Sequence, residues 1–161
     1  MLKWLTQTYI GKLAATFLIS MLPVIELRGG IPYGVGFGLD PWVSYIVALL
    51  GNILPVPFIL LLLDAVFEWM KSREGFLRNV ALKLENKALS KKERIEKYKI
   101  FGLLLFVAIP LPGTGAWTGA MAACVMRMNR KHAFWSIFGG VVIAGIIVLI
   151  LSYGVVSLFK L

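Results

Sequence analysis

The chain is 161 residues long, 59% hydrophobic and 16% charged, with a formal net charge of +9 and a mean hydropathy of +0.83. Soluble domains average about 45–50% apolar and about 25% charged residues, so this composition excludes a disordered chain and argues against an ordinary soluble enzyme. Its single Cys excludes a disulfide framework. The class that fits is an integral membrane protein with at most about five or six crossings, because each crossing takes about 20 residues.

In chain order, the long uncharged stretches are 13–25, 29–39, 41–63, 100–126 and 132–159, with His132 counted as neutral. The first two are each too short for a core of about 30 Å. Between and around them runs Pro23-Val24-Ile25-Glu26-Leu27-Arg28-Gly29-Gly30-Ile31-Pro32, whose charges, glycines and prolines predict a broken backbone. The pattern predicts a re-entrant hairpin over about 5–38 that turns back at membrane depth. A full first span starting at Trp4 is the competing reading. Lys3 is followed by no clear small-residue cleavage site, so no removed signal peptide is expected.

Asp40-Pro41 predicts a helix start, an N-cap followed by proline in the first turn. The helix from there to about residue 70 is long enough to span, with a kink expected at Pro55 and Pro57. Residues 71–99 hold ten of the seventeen Lys/Arg and four of the eight acids, a net +6. That block reads as a solvated amphipathic helical linker on the cytoplasmic side.

The stretch 100–126 is interrupted by Ile109-Pro110-Leu111-Pro112-Gly113-Thr114-Gly115. Prolines and glycines at this density abolish helix propensity. The arms Phe101–Ile109 and Ala116–Met126 are about half a membrane each, which predicts a second re-entrant hairpin. A spanning helix from about Asn129 to Phe159 follows. The expected fold is therefore an all-α integral membrane protein, one membrane domain over 1–161. It contains an inverted repeat of re-entrant helical hairpin plus transmembrane helix: repeat 1 about 5–70, linker 71–99, repeat 2 about 100–160. Broken helices meeting at the bilayer centre mark substrate sites in secondary transporters.

Glu26 and Arg28 are the leading candidates. A charge at the bilayer centre costs about 2.5–3.5 kcal/mol on insertion scales, so its presence demands compensation. In an extended turn the two side chains project in the same direction and can pair. One reading is a mutually neutralising structural ion pair. The other gives Arg28 an anionic group to bind and makes Glu26 a proton-coupling site; a third places both at the surface. In the second tip, Gly113, Thr114 and Gly115 offer backbone amides and a hydroxyl to an anion. Secondary candidates are Asn52 in mid-span, Asp64, which shares a helix face with Glu68, and Trp117 on a hairpin arm. Asp64 and Glu68 are expected to meet Lys71 or linker bases, and Trp4, Trp42, Trp69 and Trp135 to lie at span ends. With one His and one Cys, no metal-ligand spacing and no nucleophile–base pair, neither an enzyme nor a cofactor or metal protein is expected.

The two motifs Glu26-Leu27-Arg28-Gly29-Gly30-Ile31-Pro32 and Pro110-Leu111-Pro112-Gly113-Thr114-Gly115-Ala116-Trp117-Thr118-Gly119-Ala120 together resemble the prokaryotic "putative small multidrug export protein" family. The second half is also similar to the DedA/VTT superfamily through Ile109-Pro110, Ala122-Ala123, Arg130-Lys131 and Phe134. That resemblance implies paired re-entrant hairpins and lipid movement. DedA proteins typically carry an Arg shortly after the second tip proline, where this chain has Gly113-Thr114. The leading expectation is an alternating-access carrier in a prokaryotic cytoplasmic membrane. Its substrate is a small amphiphilic anion, most plausibly a lipid-linked phosphate, with proton coupling through Glu26. A proton-coupled multidrug exporter and a non-transporting scaffold are the alternatives. Membrane lipids are the expected partners, nucleic acid is not, and a homo-oligomer, a dimer first, is expected from the GxxxG surfaces Gly30/Gly34 and Gly115/Gly119.

Overall fold

A computed structural model describes residues 7–72, 75–89, 92–111 and 113–159. Lys3, Trp4 and Pro112 lie outside the described residues. The described residues are helical with no strand, in eight helices: α1 Tyr9–Met21, α2 Glu26–Gly36, α3 Pro41–Ile53, α4 Pro55–Ser72, α5 Phe76–Leu89, α6 Lys92–Ala108, α7 Ala116–Val125 and α8 Arg130–Phe159.

Local chemistry sets most of these boundaries. Thr8 caps α1 by accepting from the Gly11 N–H. Asp40 caps α3, its carboxylate accepting from the N–H groups of Trp42 and Val43, with Pro41 in the first turn. Leu54 breaks the first long helix at Pro55, whose missing N–H cannot continue the ladder. Asn129 accepts from the Lys131 N–H as α8 begins.

The first hairpin turns earlier than the sequence pattern predicts. The turn is Leu22–Ile25, and Glu26 already opens α2, which carries Pro32 inside it. The Gly29-Gly30 pair is therefore helical. Its glycines serve packing: a Cβ on Gly30 would lie 1.8 Å from Ser20 Oγ, and one on Gly34 2.6 Å from Ser44 Oγ. Small residues let α1, α2 and α3 approach closely, a common solution where helices lack a hydrophobic drive to associate. In the second half, a Cβ on Gly140 would lie 2.7 Å from Val107 Cβ and 2.8 Å from Leu104 O, so glycine lets α8 seat against α6.

Two helical stretches, Pro41–Ser72 and Arg130–Val155, are long and apolar enough to cross a membrane. Only 33% and 44% of their most apolar windows are buried, where a soluble core helix would be mostly covered. Trp42, Trp69 and Trp135 are exposed near their ends. Within each half, the hairpin packs on its own long helix. Between halves, α2 packs on α8 and α7 packs on α4, so the second arm of each hairpin rests on the long helix of the other half.

Candidate functional site

These cross-packings bring the two tips together. Glu26 is 4% exposed although it begins a helix at a turn. Its φ of 53° lies in the left-handed region, a conformation that costs a non-glycine residue about 1–2 kcal/mol and that tertiary contacts must hold. The contact that holds it is the N-terminus of α7. The Trp117 N–H donates to Glu26 Oε1 at 3.4 Å, and the Ala116 N–H points to the same carboxylate. Amide donors at the start of a helix have no partner within it, and the helix dipole favours an anion there. Gly115 makes the approach possible, since a Cβ at that position would lie 1.9 Å from Glu26 Oε2.

Arg28 reaches the other side of the same tip. Its guanidinium donates to the Leu111 carbonyl and, at 3.1 Å, to Thr114 Oγ1. Leu111 lies just beyond the C-terminal end of α6, where a cation complements the dipole. The Thr114 hydroxyl also accepts from the Leu111 N–H at 3.2 Å and donates to the Ile109 carbonyl at 2.6 Å, so it ties the turn together with its full bonding capacity in use. Gly113 adopts a φ of 83°, which only glycine takes without strain. Trp117 adds a third tie, its indole Nε1 donating to the Met21 carbonyl at the end of α1.

The extended-turn geometry in which Glu26 and Arg28 pair with each other is not what forms. Arg28 lies inside α2 while Glu26 enters it from a left-handed φ, and the two side chains reach opposite helix ends of the second tip. No ion pair joins them; each is satisfied instead by the second tip. The five residues Glu26, Arg28, Thr114, Gly115 and Trp117 converge on one contact, and Gly113 shapes the turn that carries it. Asn52 and Asp64 stand outside its hydrogen bonds. Asn52 is 1% exposed, and neither its Oδ1 nor its Nδ2 has a hydrogen-bond partner.

Asp64 belongs to a second polar cluster at the far end of α7. It pairs with Arg130, while Glu68 pairs at 3.4 Å with Arg127 and with Lys71. Lys71 is thus met as the sequence suggests, and among the described residues the other bases are Arg127 of the α7–α8 turn and Arg130 at the start of α8. The Arg127 guanidinium lies 4.0 Å over the Phe67 ring, and Lys99 donates to the Met126 carbonyl at 2.9 Å. Among the described residues, no group of His, Cys, Asp or Glu is arranged to hold a metal.

Sequence reasoning pointed to amides of the second tip, at Gly113 to Gly115, as an anion seat, but missed the main-chain groups that receive the two charges. These are the amides of Ala116 and Trp117 for Glu26 and the carbonyl of Leu111 for Arg28. Every residue carries such groups, so nothing in the sequence marks them; the available signal was their place at helix ends bordering a Pro/Gly break.

A family profile described as "Putative small multi-drug export protein" matches residues 26–147, from the first charged residue of the site through the second tip and into α8. The chain belongs to this family. No curated protein and no solved structure matches it.

Proposed function

We propose that this protein is a membrane carrier of the alternating-access type, and that the contact between its two tips is the substrate and coupling site. The observation that carries this reading is the matching of opposite charges on one tip to opposite helix ends on the other. Several features agree with tips at membrane depth. The turn residues exposed there are apolar, Leu22, Val24 and Ile25 in one tip and Ile109 and Leu111 in the other, where a water-facing turn would be polar. The charged cluster at Asp64, Glu68, Arg127 and Arg130 is a helix length away. The ten residues of α7 correspond to about 15 Å of rise, half of a core of about 30 Å. The reciprocal packing of α2 on α8 and α7 on α4 supports an inverted repeat. The basic stretch 71–99 then faces the cytoplasm of a prokaryotic cell; Gly30, Gly34, Gly115 and Gly119 are spent on packing within one chain, so two copies associate through the exposed apolar faces of the long helices instead.

The seat that Glu26 occupies is built for an anion, with the Ala116 and Trp117 amides of α7 around it and the Arg28 charge within electrostatic reach. Protonation of Glu26 removes its attraction to the helix N-terminus and frees those donors for an amphiphilic anion, for which a lipid-linked phosphate is the leading candidate. A second reading is favoured by the family's description: export of amphiphilic cations, with Glu26 binding drug and proton in turn.

Reconstitution in proteoliposomes separates the two. Arg28→Ala and Glu26→Gln are each assayed with a fluorescent lipid phosphate and with a lipophilic cation, after monodispersity is checked. The anion reading expects Arg28→Ala to abolish phosphate translocation, and unchanged translocation overturns it. Cation efflux that is lost in Glu26→Gln and kept in Arg28→Ala establishes the exporter reading in its place.

A further inference from the structure

Asn52 is a buried carboxamide with both polar atoms unpartnered. Burying such a group without hydrogen bonds costs about 1–3 kcal/mol in protein interiors, so a wholly structural position would be better filled by Leu. Three registers put it within about one helical turn of the tip contact. The helices α2 and α3 form an antiparallel pair joined by a short turn, with Gly34 against Ser44. Counting eight residues away from the turn on each strand of the pair brings Glu26 level with Asn52. Asn52 also lies two helical turns after Tyr45, on the same face; the Tyr45 hydroxyl donates to the Val142 carbonyl of α8, so that face looks into the centre of the molecule. Finally, α7 packs on α4 and ends where Arg127 meets Phe67 and Glu68. Eleven residues back along both helices, Ala116 is level with Val56, one turn beyond Asn52.

Resting on the reading of Glu26 as the proton-coupling group, we propose that Asn52 is a positioning residue that provides the second seat for the Glu26 side chain. Ionised, the carboxylate accepts from the α7 amides. After taking a proton from the aqueous phase it is a carboxylic acid, whose O–H donates to Asn52 Oδ1 while its carbonyl oxygen accepts from Asn52 Nδ2. A primary amide is the neutral side chain that matches an acid in both directions, and it matches a carboxylate in only one. The strained φ of Glu26 is released as the side chain leaves the helix end. Of the charged groups near Glu26, Arg28 on its own helix is the one within electrostatic reach. The residues facing it from the second tip, Gly115, Ala116 and Trp117, do not titrate, and Asp64 of α4 is engaged with Arg130.

The test is Asn52→Leu, which keeps the branched shape and the number of heavy atoms and removes both hydrogen bonds. Infrared difference spectra are recorded across an acid titration of the purified protein, with Glu26→Gln identifying the Glu26 carboxyl band. The proposal expects the protonated C=O stretch to move to higher frequency in Asn52→Leu. It also expects proteoliposome transport to fall at least about tenfold and thermal stability to hold or rise. A folded Asn52→Leu protein with an unmoved band and transport within about twofold overturns the second seat while leaving proton coupling intact. A native protein with no Glu26 carboxyl band at any pH overturns both. Asn52→Gln, which keeps the carboxamide, is expected to recover part of the transport; no recovery counts against the seat.

Discussion

The two tips solve opposite halves of one problem. The first holds both charges, and its backbone runs in helix from Glu26 through Gly30 despite the glycines and the proline that follow. The second holds no charge and breaks its backbone for good between Ala108 and Ala116. A buried break leaves orphan carbonyls at one helix end and orphan amides at the next, and an apolar surrounding can satisfy neither. A buried charge faces the mirror-image difficulty. Each tip would be costly alone; in contact, Arg28 answers the carbonyl side and Glu26 the amide side.

The complementarity is broken most severely at Gly115. Gly115→Ala places a methyl where the Glu26 carboxylate sits, and the expected cost is about 3–5 kcal/mol, the range for leaving a buried charge without its partner. In a Glu26→Ala background the same substitution should cost under about 1 kcal/mol, a coupling that a double-mutant cycle of unfolding in detergent reads directly. Equal costs in both backgrounds would mean that Glu26 and Gly115 do not touch. A smaller effect is expected at Gly113→Ala, about 1–2 kcal/mol from the left-handed backbone alone; the same measurement checks it, and the cost should be indifferent to Glu26. The smallest lies at the opposite end of α7. Asp64→Asn removes the pair with Arg130, whose side chain is 59% exposed, and the expected change in thermal stability is under about 1 kcal/mol. A large loss there would shift weight from the tips to the ionic cluster.

Much of the scaffold is legible in the residues. Asp40-Pro41 starts a helix because a carboxylate caps it and a proline fits its first turn. Pro55 interrupts the long helix, and the Pro/Gly run after Ile109 ends one arm before Ala116 begins the next. The misreading falls on Gly29-Gly30-Ile31-Pro32. By propensity this run is a breaker, yet Gly30 and Gly34 are in helix because Ser20, Thr16 and Ser44 approach too closely for any Cβ. A glycine needed for contact and a glycine needed for a turn look alike until the neighbour is in place. The same holds for Asp64 and Glu68, whose partners Arg127 and Arg130 are about 60 residues away and follow no helical spacing.

By itself the sequence determined the apolar character that suits a membrane, the two long helices, the position of the second break and the identity of the two charges that demand compensation. These are properties of side chains and of local backbone chemistry. Only the tertiary structure decided where those charges go. Their main-chain partners are amides and a carbonyl at helix ends, groups that every residue carries, and packing alone makes three of them, the Ala116 and Trp117 amides and the Leu111 carbonyl, special by bringing one tip against the other.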